Sequence, residues 1–67
     1  MSLSKQSLLR LKVRESFKVC SKTVYPSFYN LLQSKQGYLK AEELVIAYAI
    51  KNELPISTSI AQLESEL

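Results

Sequence analysis

An all-α domain of three or four short helices is the fold this sequence predicts. Three observations carry that expectation. Apolar residues recur at helical spacing in two stretches: Leu9, Val13, Phe17, Cys20 and Val24, then Ile56, Ile60, Leu63 and Leu67. Only Pro26, Gly37 and Pro55 punctuate the chain strongly, and they divide it into four pieces. The first piece holds no turn that would fold a hairpin.

Each piece has its own local logic. The first helix is expected over about Ser4 to Lys22, capped by Ser4 or Ser7. Leu9 to Val13 also alternates as a strand would, but the segment is long and rich in Leu, Arg, Lys, Gln and Glu, which favours helix. Beside its apolar stripe, Arg10, Arg14, Lys18 and Lys22 form an i+4 ladder of cations. The second helix begins at Pro26, a residue suited to a first helical position. Phe28, Leu31 and Leu32 supply its buried side, and Gly37 is the expected left-handed stop. The third runs from about Lys40 to Asn52. Its Ala41-Glu42-Glu43 opening places carboxylates against the helix dipole. Seven apolar residues follow, Leu44 to Ile50, so burial on most sides is expected, with Ala47 and Ala49 arguing for helix over strand. Pro55 ends the connection. Ser57, Thr58 or Ser59 then caps the last helix, and Ser59 with Gln62 has capping-box spacing.

Length and composition narrow the function. A chain of 67 residues holds a single domain, residues 1–67, and buries only part of its apolar surface. With Cys20 as the sole cysteine, no disulfide can form within the chain, which fits a reducing cytoplasm. Self-association is the remaining way to stabilise so small a fold, so a homodimer, or docking on a larger protein, is expected. Leu8, Leu11 and Val19 lie off the main stripe and are available for it. Met1 to Leu3 reads equally as an added leader or as a native start. No secretory signal or membrane span is expected, because the longest wholly apolar run is far short of about 20 residues.

Charge is unevenly shared. Residues 1–36 carry seven Lys or Arg and one Glu, a net +6, whereas residues 37–67 carry two Lys and five Glu, a net −3. A basic first half suits nucleic acid or an acidic protein surface. Mutual neutralisation of the two halves, within the fold or across a dimer, reads equally well. Catalysis is not expected. The chain has no histidine and no aspartate, so the commonest general base is missing and ligands for a metal are too few. Lys18 and Lys22 could lower the Cys20 thiol pKa, but its place on the apolar stripe reads as a buried structural cysteine. No cofactor is expected, since one glycine cannot build a phosphate-cradling loop.

Two stretches resemble known families. Residues 28–50, "FYNLLQSKQGYLKAEELVIAYAI", resemble an EF-hand, with Gly37 at the sixth loop position and Glu43 at the twelfth. Leu32, Ser34 and Gln36 stand where calcium needs oxygen-rich ligands, so the resemblance implies a metal-free helix-loop-helix. Residues 25–67 resemble the helix-turn-helix half of winged-helix transcription regulators. There a helix ending "LLQSKQG" precedes "KAEELVIAYAI", a turn, and a helix starting "ISTSIAQLESEL". That resemblance implies a small regulator that binds nucleic acid. Ser57, Thr58, Ser59 and Gln62 would approach a groove. The last helix has no Lys or Arg and carries Glu64 and Glu66, so phosphate contacts would fall to Arg10, Arg14, Lys18 and Lys22. The other expectation is a protein-interaction module: an adaptor, inhibitor or anti-repressor.

Overall fold

A computed structural model describes residues 5–67. The fold is all-α, with α1 (Lys5–Phe17), α2 (Pro26–Leu31), α3 (Lys35–Asn52) and α4 (Ile56–Glu66). α3 is the spine and packs against the other three, while α4 also rests on α1 and α2. Val13 and Phe17 of α1, Phe28 of α2, Ala41, Val45 and Ile46 of α3, and Ile60 and Leu63 of α4 make one core. Phe17 stacks on Phe28 with centroids 5.9 Å apart and meets Tyr38 edge-on at 5.4 Å. No helix among the described residues is long and apolar enough to cross a membrane.

Several helix boundaries depart from expectation. Ser4 lies outside the described residues, and Ser7 sits inside α1 rather than at its cap. α1 stops at Phe17, not Lys22. The amide of Cys20 closes a short turn onto the Phe17 carbonyl at 3.1 Å, and the Ser21 hydroxyl accepts from Val24 N–H at 3.1 Å. Hydroxyl side chains compete with the helical ladder in this way, and Val19, Thr23 and Val24 are poor helix formers. Val24 is therefore exposed instead of continuing the stripe.

Gly37 does not end a helix. It lies in the first turn of α3, without positive φ. Ser34 caps that turn by accepting from the Gly37 N–H at 3.0 Å. A side chain at 37 would collide with the Leu31 carbonyl and lie 2.9 Å from Ser34 Oγ, so close approach is what requires glycine here. Because α3 starts at Lys35, Glu42 and Glu43 stand two turns inside it and do not serve its dipole.

α3 ends at Glu53, which adopts the left-handed conformation (φ 53°, ψ 47°). Glu53 N–H reaches the Ile50 carbonyl at 3.4 Å and Leu54 N–H the Ala49 carbonyl at 3.0 Å, the two bonds of a Schellman closure. The connection to α4 is therefore short, Glu53 to Pro55. Pro55 holds the cap position of α4 with no side-chain cap, and no capping box forms between Ser59 and Gln62. The Ser59 hydroxyl instead donates to the Pro55 carbonyl at 3.0 Å. Leu44 is only half-buried, and Ile50 and Leu67 are exposed, not core. With Leu39 and Ala47 also exposed, α3 keeps one outward face where burial on most sides was expected.

Candidate functional site

The cation ladder is the natural place to begin, because it carried the expectation of a phosphate grip. Arg10 and Arg14 are one turn apart on α1 and share a face. That face turns to α3, where the Glu42 side chain is fully buried. Glu42 Oε1 accepts from Arg10 Nη1 at 3.1 Å, and Oε2 accepts from Arg14 Nε at 2.8 Å. A buried carboxylate is costly unless paired and hydrogen-bonded, and two guanidinium groups meet that demand here. The arginine side chains remain 43% and 53% exposed, so each spends one edge on Glu42 and keeps the rest in water.

The other two rungs leave the helix. Lys18 lies just past α1 and pairs with Glu15 at 3.2 Å. Both groups are solvated, and such pairs contribute little. Lys22 lies in the α1–α2 connection and is exposed. Thus Arg10 and Arg14 come together on one carboxylate, while Lys18 and Lys22 do not join them.

The four polar residues at the start of α4 are dispersed as well. Ser57 is exposed, Thr58 is half-buried and Ser59 is buried with its hydroxyl on the Pro55 carbonyl. Gln62 is exposed and accepts from the Tyr48 hydroxyl at 2.8 Å. Partial burial, then the charge and hydrogen bonding of nearby Glu66, push the Tyr48 hydroxyl above its ordinary value. Glu64 is also engaged. Its carboxylate accepts from the backbone N–H of Ser27 at 3.0 Å and of Phe28 at 3.1 Å. α4 therefore caps the N-terminus of α2, which has no cap of its own. Burial alone would raise the Glu64 carboxyl, but these amide donors and the Ser27 hydroxyl outweigh it and hold it below the ordinary value.

Cys20 is half-buried against the core, and burial followed by the Glu64 charge pushes its thiol up. A raised thiol is a poor nucleophile near neutral pH. Among the described residues, no three His, Cys, Asp or Glu side chains gather as a metal site.

An open groove lies between the C-terminal half of α1, α2 and the start of α3. Leu11, Phe17, Cys20, Leu32 and Tyr38 make it mainly apolar, and Arg14 and Lys18 stand along it. Leu11 is 52% exposed beside it. Sequence reasoning missed this groove, the Glu42 pairing and the Glu64 cap. A usable signal existed for Glu42, which lies three and four residues before the buried Val45 and Ile46 and so shares their helical face. No signal along one helix reveals the groove, because three elements build it. Set against protein-family models, curated proteins and solved structures, the chain matches none.

Proposed function

We propose that this protein is a small protein-docking module, in the class of adaptors, inhibitors and anti-repressors. The observation that carries the reading is the Arg10–Glu42–Arg14 cluster. It sets one buried negative charge against the two arginines of the basic ladder, which leaves less net charge for phosphates. The exposed polar end of α4 keeps Glu66 and offers no cation. Meanwhile Leu8, Leu11, Val19, Val24, Leu39 and Ile50 stand about half exposed or more, an apolar supply suited to protein contacts. The partner is another chain, a second copy included, with an acidic face toward the basic half.

Nucleic-acid binding is the second reading. The three-residue connection between α3 and α4 favours it, because that length falls within the tight turns of helix-turn-helix units. Lys12, Lys18 and Lys22 would then supply the phosphate contacts. A mobility shift with generic duplex DNA at low salt separates the two readings. The docking reading expects no saturable complex. A complex whose salt slope falls by about 1 for each of Lys12, Lys18 and Lys22 changed to Gln would replace it with the second.

A further inference from the structure

We propose that the groove between α1, α2 and the start of α3 seats an acidic amphipathic helix of a partner protein. This rests on the docking reading above and assigns it a surface. Phe17 lies at the floor of the groove with its ring held edge-on by Tyr38, so the apolar wall is fixed before any partner arrives. Leu11 and Leu32 widen that wall, and Leu11 is half exposed among the described residues.

Charge decides what the partner must carry. Glu42 engages Arg14 through Nε alone, which aims the guanidinium and leaves its terminal amino groups for an outside carboxylate. Among the described residues Lys18 is held by solvated Glu15 alone, a partner that an incoming carboxylate can displace. Apolar anchors at helical spacing would fill the wall while flanking carboxylates meet Arg14 and Lys18, the helix-in-groove mode of recognition. A nucleic acid offers phosphates to those cations but leaves the exposed Leu11 without an apolar counterpart.

The test is a titration of the ¹⁵N-labelled protein with three short synthetic helices. One carries Leu and Phe on one face with Glu flanks, one replaces the Glu flanks by Lys, and one replaces the Leu and Phe by Ala. The acidic amphipathic helix should shift amides around Leu11, Phe17 to Cys20, Tyr29 and Gln33, and the other two should not. Arg14→Gln should weaken binding about tenfold, the worth of one charge-assisted hydrogen bond. That variant strands part of Glu42, so two variants at exposed positions accompany it. Leu11→Glu should abolish binding, and Glu15→Gln should tighten it about twofold by freeing Lys18. Equal binding by the Lys-flanked helix, no shifts at millimolar probe, or affinity unchanged by Leu11→Glu would overturn the proposal. Shifts by the acidic helix confined to another face would overturn the groove and leave the docking reading standing. A concentration-dependent dimer abolished by Leu11→Glu would make a second copy the occupant, against the proposal. Tighter binding of duplex DNA at these same amides would overturn both.

Discussion

Gly37 shows how one residue type can serve two structures. A lone glycine between helical stretches reads as a stop, because glycine is the usual left-handed residue. Here it starts a helix, and its missing side chain makes room for the Leu31 carbonyl. Gly37→Ala should therefore destabilise the fold by about 1–3 kcal/mol through overpacking, seen as a lower urea midpoint. Glu53 is the converse, a left-handed position that glycine does not occupy. Glu53→Gly should raise stability by about 0.5–1 kcal/mol, the side-chain strain removed less the entropy of the more flexible chain. An unchanged or lower midpoint would contradict that reading of the α3 terminus. Neither role was legible in the sequence, since both depend on where α3 begins and ends.

Helix number and order were legible, because they follow from apolar spacing and from two prolines at element starts. Cross-element contacts were not. Only the packed structure brings Glu64 to the bare N-terminus of the six-residue α2. Glu64→Gln should cost about 0.5–2 kcal/mol, as loss of a helix cap does. The same bond sets a pH dependence. The Glu64 carboxyl sits below its ordinary 4.5 in the fold. Its contribution is thus fully present above that value and is lost as pH falls through the lowered one. Acid titrations of stability should separate wild type from Glu64→Gln above this window and converge below it. Curves that keep a constant gap down to the lowest pH would contradict the cap.

Burial across the whole molecule follows the stripes only where a helix lasts. Ile60 is 1% exposed and Ile50 is 53% exposed, although both were expected in the core. Ile60→Ala should cost about 2–5 kcal/mol, enough to unfold so small a domain, while Ile50→Ala should stay within about 0.5 kcal/mol. Thermal melts of the pair check the orientation of α3 and α4 together. Ile50 was illegible because seven consecutive apolar residues carry no phase, and of the charged residues around them Glu43 and Lys51 face water while Glu42 is buried. The candidate site was legible as a set of cations, but the pairing of two of them was not, because the anion that claims them lies 28 to 32 residues away. Commitment of Arg10 and Arg14 to Glu42 is thus the claim on which the docking reading stands. A double-mutant cycle of Arg14→Gln with Glu42→Gln, read by urea unfolding, tests it most directly. The expected result is a coupling energy of about 1–3 kcal/mol. Single changes that simply add, in a protein that binds duplex DNA through Arg14, would contradict it.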